Sequence, residues 1–306
     1  MNGTGKFRVY ILLIAAMFFW GMSFVWYKQA YPEFRPISLI FFRLLISFVL
    51  LFLYSLFLRK LKWPNRKDIK YFFLLAFFEP LMYFLGESFG MKYVSSTLAS
   101  ILIATIPLFA SFAAYLFYRE QLTAKKYLGI LFSFIGVIFI VYFDGSIGEA
   151  PLKGILLMML AVVSAVAYST ALRRLSVGYS ALSILSFQNL IGMLYFLPIF
   201  LLADAKEIVW SAYKFRDFLP VLYLAVFAST FAFLFFIEGV KSIGITKAIV
   251  FTNFIPIVTA IFAVIILNEK MSFIKIAGIF LTIAGLFMSQ VNVLPKMNLI
   301  NRTRRG

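Results

Sequence analysis

Residues 92–136 read KYVSSTLASILIATIPLFASFAAYLFYREQLTAKKYLGILFSFIG, and residues 241–285 read KSIGITKAIVFTNFIPIVTAIFAVIILNEKMSFIKIAGIFLTIAG. The two stretches align without a gap. Pro107 falls on Pro256, Glu120 on Glu269, Lys126 on Lys275, Gly129 on Gly278 and Gly136 on Gly285, each pair 149 residues apart. Any two apolar helices match in their hydrophobic letters, but hydrophobicity alone does not also align a mid-helix Pro, a loop acid and two Gly. The chain is therefore two copies of one unit, and such self-similarity governs every later step in reading a fold.

Working outward, each copy holds five apolar runs. A helix needs about 20 mostly apolar residues to cross a hydrocarbon core of about 30 Å. Ten such runs occur at approximately 10–27, 37–58, 69–90, 97–118, 127–143, 154–172, 182–203, 218–238, 246–267 and 273–292. The expected fold class is all-α integral membrane, with ten transmembrane helices in two five-helix repeats. Five is odd, so the second repeat enters the membrane from the opposite side and the repeat is inverted. The expected divisions are 1–148, 149–295 and a basic tail at 296–306. The first run follows Lys6 and Arg8 as a signal peptide would, but it is long, contains Trp20, Trp26 and Tyr27, and lacks a small-residue cleavage site. It reads as a retained helix.

Composition supports the same class. Hydrophobic residues make up 63% of the 306 and charged residues 13%, against about 45–50% and about 25% in soluble domains, which excludes a water-soluble globule. The 29 Lys and Arg exceed the 12 Asp and Glu by 17, an excess that in a soluble protein suggests nucleic acid. Here topology accounts for it: nineteen of the 29 fall on the side of the N-terminus, nine on the opposite side, and Arg43 on neither. That bias places both termini in the cytoplasm, with the plasma membrane as the expected location and nucleic acid not expected as a partner. Cys and His are both absent, which excludes disulfides, thiolate ligation and imidazole chemistry. No metal, cofactor or catalytic residue is expected. Gly86–Lys92 (GESFGMK) lacks the spacing of a phosphate loop and no GxSxG occurs, so neither ATP-driven transport nor an enzyme is supported.

A small-residue-rich helix with a central Pro, a Glu in the following loop and Gly seven apart in the next helix together resemble the EamA repeat of the drug/metabolite transporter superfamily. Phe19-Trp20-Gly21-Met22-Ser23-Phe24 is similar to that family's first-helix motif. The likeness covers nearly the whole chain. It implies a ten-helix carrier or exporter of small metabolites, whose relatives move amino acids, nucleotide sugars, sugar phosphates or drugs. Inverted repeats with a site near the midplane are the build of secondary transporters. The expected function is export of a small organic metabolite, amino acids or related compounds, by alternating access.

The third run carries the most chemistry. Glu79, Tyr83 and Glu87 are spaced i, i+4, i+8 and are expected to sit on one broad face of a helix. An ionised carboxylate in hydrocarbon must face protein or water, be paired, or be protonated. Counted from the helix ends, Glu87 lies about 5 Å below the outer boundary, Arg43 about 9 Å and Glu79 about 16 Å, so the Arg can reach either acid. Two readings compete: a cavity that binds a charged substrate or exchanges a proton, and a buried structural pair. The repeat bears on this, because Glu79 corresponds to Ala228 and Glu87 to Phe236. The acids are private to the first half.

Further cavity candidates are Trp20, Ser23, Tyr168, Gln188, Asn189, Thr252 and Asn253, with hydrogen bonding between helices as the alternative for the amides. Pro107 and Pro256 are candidate hinges or plain bends. The Gly pairs, together with Gly86 and Gly90, read as helix-packing positions. Glu120 and Glu269 read as caps or as partners of Lys125, Lys126 or Lys275. The expected partners are a small-molecule substrate, protons and the lipid bilayer. An uncoupled facilitator or exchanger is the alternative function, and a lipid-handling protein a more distant one.

Overall fold

The computed structural model describes residues 3–118, 124–143, 149–208 and 213–290, so Glu120 lies outside the described residues. Ten helices follow one another: α1 Gly3–Ala30, α2 Pro36–Phe57, α3 Ile69–Gly90, α4 in two segments Ser96–Ala104 and Ile106–Tyr118, α5 Ala124–Phe143, α6 Glu149–Gly178, α7 Ala181–Ala203, α8 Phe215–Ile243, α9 Ile245–Leu267 and α10 Phe273–Gln290. Eight contain windows of mean hydropathy 1.4 to 2.5, long enough to cross a membrane, and α5 and α10 carry shorter apolar stretches. Large apolar side chains such as Phe57, Phe134, Leu202 and Phe280 are exposed along these helices. That surface belongs in lipid, where only segments that satisfy their own backbone hydrogen bonds can span. The chain is a multi-pass integral membrane protein with five helices in each half.

The helix ends are set by local chemistry. Pro36 opens α2, where its missing N–H costs nothing. Ser95 and Ser180 cap α4 and α7, accepting the N–H groups of Leu98 at 3.2 Å and Ser183 at 3.1 Å. Gly244, at φ +84°, makes the turn between α8 and α9 that an L side chain would strain.

Contacts between loops sort the connections onto two opposite rims. On one, the Ser38 N–H and hydroxyl donate to Asp204 at 2.9 and 2.7 Å. On the same rim Glu269 accepts the Ser96 N–H at 2.8 Å and the Thr97 hydroxyl at 2.7 Å. On the other, Tyr179 donates to Asp68 at 2.7 Å and Lys62 to the Gly178 carbonyl at 2.9 Å. Glu269 also approaches Lys275 to 3.9 Å. The helix it caps is α4 of the other half and not α10, which Ser272 caps through the Lys275 N–H.

One expectation fails. The stretch 69–90 is a span but not one continuous helix, because Glu79 has an extended backbone (φ −146°, ψ 116°) before Pro80. Pro disfavours the helical conformation in the residue that precedes it, and here Glu79 takes the extended form. Glu79 and Tyr83 are therefore not related by a helical turn, whereas Tyr83 and Glu87 are.

The repeated Gly hold α5 against α10. A Cβ on Gly136 would lie 2.6 Å from the Gly278 carbonyl oxygen, and one on Gly129 would lie 2.6 Å from the Gly285 oxygen. At the reciprocal positions a Cβ on Gly285 would lie 2.6 Å from the Gly129 oxygen and one on Gly278 3.0 Å from the Gly136 oxygen. Backbones this close exclude any side chain between them. Gly136→Leu should lower the thermal unfolding midpoint of the detergent-purified chain, with a cost of about 1–3 kcal/mol typical of overpacking. Gly178→Ala, where nothing lies within 4 Å of the added Cβ, should leave the midpoint unchanged.

Candidate functional site

The break at Glu79 turns its carboxylate into a cavity between the two halves, with walls from α1, α2, α3 and α4 of the first half and α6, α8 and α9 of the second. The empty space among the lining residues, open solvent at its mouth included, is about 630 Å³. Trp20 lies ten residues from the end of α1 and Glu79 eleven from the end of α3, which places both roughly 15 Å below one rim and near mid-depth.

Arg43 is held from three helices. Its Nε–H donates to Ser229 of α8 at 2.8 Å and its Nη1 to the Tyr27 hydroxyl of α1 at 2.5 Å. Glu87 of α3 stands 3.7 Å from Nη1. The Phe84 ring lies 4.1 Å from the guanidinium carbon, a cation–π contact. Glu87 in turn accepts the Tyr83 hydroxyl at 3.1 Å. Arg43 is 2% exposed and Glu87 4%. A desolvated pair of this kind persists only because further hydrogen bonds satisfy both ions.

Glu79 is different. It is 6% exposed and lines the cavity, yet among the described residues no hydrogen bond or ion pair reaches it. Arg43, Glu87, Tyr83 and Tyr168 are the charged and titratable groups in its electrostatic surroundings. At the corresponding place in the second half, Ala228 sits in a widened helical stretch, Leu224–Ala232, and its carbonyl accepts the Trp20 indole N–H at 3.2 Å.

Of the candidates read from the sequence, Trp20, Ser23, Arg43, Glu79, Tyr83, Glu87, Tyr168 and Thr252 line the cavity. Gln188, Asn189 and Asn253 do not. Gln188 accepts the Tyr168 hydroxyl from behind at 3.4 Å, and Asn189 donates to Ser47 at 2.8 Å, which joins Thr230 at 2.7 Å. These amides tie helices together, the alternative the sequence left open. Pro107 and Pro256 lie behind the cavity-lining Ile106 and Ile255. The α-helix is interrupted just before each, at Thr105 in α4 and over the 3₁₀ stretch Ile249–Phe254 in α9. Sequence reasoning missed Tyr27, Phe84, Ser229, Phe233 and Phe236. With 39 Phe in the chain no single ring stands out, but Ser229 beside Thr230 is a hydroxyl pair in an apolar run and was a usable signal.

Removing one partner of a buried ion pair costs about 3–5 kcal/mol, because the other charge is stranded. Arg43→Leu should therefore lower the unfolding midpoint markedly. Arg43→Leu combined with Glu87→Leu should recover most of the loss, which a thermal melt of the three proteins measures. Equal midpoints for the single and double variants would show that the pair carries no mutual energy.

Residues 7–142 and 152–290 each match the EamA-like transporter family. An uncharacterized transporter of Bacillus subtilis (strain 168), YetK, is 30% identical over 288 residues, covering 92% of this chain and 86% of that protein. An uncharacterized transporter of Archaeoglobus fulgidus is 26% identical over 281 residues, covering 92% of this chain and 98% of that protein. One solved crystal structure superposes with a TM-score of 0.69 over 93% of this chain and 99% of the other, at 14% identity, a likeness of fold. With two matches that together span most of its length, and an all-helical fold in two halves around a central cavity, the chain belongs to the EamA-like transporter family and is a membrane transporter rather than an enzyme.

Proposed function

We propose that the chain is a secondary transporter that exports a small organic metabolite across the plasma membrane by alternating access, coupled to protons at Glu79 or Glu87. In this reading both termini are cytoplasmic and the substrate binds in the central cavity. The observation that carries the reading is the cavity itself, since it lies where the two halves meet and holds ionisable groups at a depth where they are costly without a role. The rim of the α1–α2 loop is clasped above it: Tyr31 donates to the Ser88 carbonyl and Lys28 to the Met91 carbonyl, each at 2.6 Å, beside the Glu269 bonds to α4. This rim is the outer gate of the proposal and has to part for release. A second reading, an uncoupled exchanger, is favoured by the mutual satisfaction of Arg43 and Glu87, which leaves one acid and not two available for protons.

A thermal-shift screen against amino acids, sugar phosphates, nucleosides and drugs is expected to show stabilisation by one class. A ligand at 100 times its Kd contributes about 2.7 kcal/mol. In proteoliposomes an imposed pH gradient should drive accumulation of that ligand, and Glu79→Gln should abolish the response. Counterflow that ignores both the gradient and the substitution overturns proton coupling in favour of the exchanger.

The natural absence of Cys makes orientation directly testable. Lys206→Cys should react with a membrane-impermeant maleimide on intact cells, and Arg66→Cys only after permeabilisation. The reverse pattern overturns the proposed orientation.

A further inference from the structure

The charges around the cavity do not cancel. Arg43 is engaged through Nε by Ser229 and through Nη1 by Tyr27 and Glu87, with the Phe84 ring against its guanidinium. Glu87 is engaged by Arg43 and Tyr83. Glu79, buried and without a hydrogen bond or ion pair among the described residues, is left over. One guanidinium and two carboxylates make a net charge of −1 when all are ionised. At this depth a carboxylate requires a positive partner or a proton.

Aromatic rings also line the cavity. Trp20 meets Phe233 and Phe236 at ring-centroid distances of 5.0 and 5.1 Å, and Tyr168 meets Phe233 at 6.5 Å. The indole is fixed by its bond to the Ala228 carbonyl, so its orientation is set before any ligand arrives. A carboxylate and several aromatic rings lining one cavity form the setting that recognises an organic ammonium, by Coulomb attraction and by ring quadrupoles. Among the described residues that line the cavity the one cation is Arg43, and it is already paired with Glu87, so an anion would have to compete with that carboxylate. A zwitterion brings a carboxylate with the same difficulty.

We infer that the cavity takes an organic monocation, an amine or a quaternary ammonium, with Glu79 as its counter-ion, and that substrate and proton occupy this carboxylate in turn. The inference rests on the transport reading above and deepens it. Charge balances at each stage: ionised Glu79 with the cation is neutral, and so is protonated Glu79 without it, so one proton enters for each cation that leaves. The groups facing Glu79 are Arg43 from α2, Tyr83 and Glu87 from α3, and Tyr168 from α6. The second half contributes rings and hydroxyls there. Of these groups the carboxylates are the ones proposed to carry the proton, and Glu87 is committed to Arg43.

The test uses the full chain in detergent with three probes of similar size: benzyltrimethylammonium as cation, phenylalanine as zwitterion and 3-phenylpropionate as anion. Benzyltrimethylammonium is expected to raise the melting midpoint and to release protons on binding in weakly buffered solution. Its apparent affinity should fall about tenfold per pH unit on the acid side of the titration. Glu79→Gln should weaken binding at least tenfold and end the proton release, whereas Glu79→Asp should retain both. Proton release by the unaltered chain keeps the test valid should Glu79→Gln not fold. Cation binding that releases no proton, or that Glu79→Gln leaves intact, overturns the inference. Stabilisation by phenylalanine or 3-phenylpropionate but not by the cation also overturns it, while leaving the cavity as a substrate site. Stabilisation by none of the three overturns the charge assignment, and the wider screen with counterflow then judges the transport reading separately.

Discussion

Hydrocarbon supplies no hydrogen-bond partner, so a chain in lipid must satisfy its own backbone, and irregular backbone is tolerated only where protein or a wet cavity surrounds it. That constraint organises the whole molecule. The described spans leave α-helical geometry inside the membrane at four places: Glu79–Pro80 in α3, Thr105 in α4, the widened Leu224–Ala232 in α8 and the 3₁₀ stretch Ile249–Phe254 in α9. Glu79 lines the central cavity, as do Ile103 and Ile106 on either side of Thr105, Phe233 just beyond the widened stretch, and Ile249 and Thr252 within the 3₁₀ stretch. The regular helices α2 and α7 meet away from it through Ser47 and Asn189. Irregularity is thus gathered on the one interior space that can accommodate it.

The two halves share a scaffold but divide the chemistry. The Pro and Gly positions recur at a constant offset and perform the same structural task in each copy, interrupting α4 and α9 alike and joining α5 to α10. Glu79 and Ala228 occupy equivalent places and do opposite things, one presenting an unpaired carboxylate to the cavity, the other giving its carbonyl to Trp20. The symmetric framework therefore surrounds an asymmetric interior, whose acids come from the first half alone and whose rings come from both.

The sequence made some of this legible and hid the rest for physical reasons. Spans and repeat were readable because hydrophobic length and fixed offsets are one-dimensional signals. Arg43 was readable because a lone basic residue in an apolar run has few roles available. The i, i+4 relation between Glu79 and Tyr83 misled, since Pro80 acts on the residue before it and breaks the periodicity on which the relation depends. The amides were legible only as a choice between bonds linking helices and the cavity, because depth along a helix carries no information about which face points inward. Asn189 and Gln188 are as deep as cavity residues but turn toward neighbouring helices. Glu269 showed its pairing with Lys275 but not its bonds to Ser96 and Thr97, because those partners lie more than 170 residues away in the other repeat.

The backbone contact between α5 and α10 fixes which parts of the molecule are free to move. Gly129 and Gly136 meet Gly278 and Gly285 at seven-residue spacing, with Ser133 and Thr282 between them. A slip of one turn would drive Phe132 or Ile140 into space that no side chain can enter, so the pair behaves as a ratchet locked in a single notch. Neither helix touches the cavity. They meet at the seam of the two halves, and in the alternating access proposed above the rocking that opens one rim and closes the other would fall to the remaining eight helices, turning about this pair.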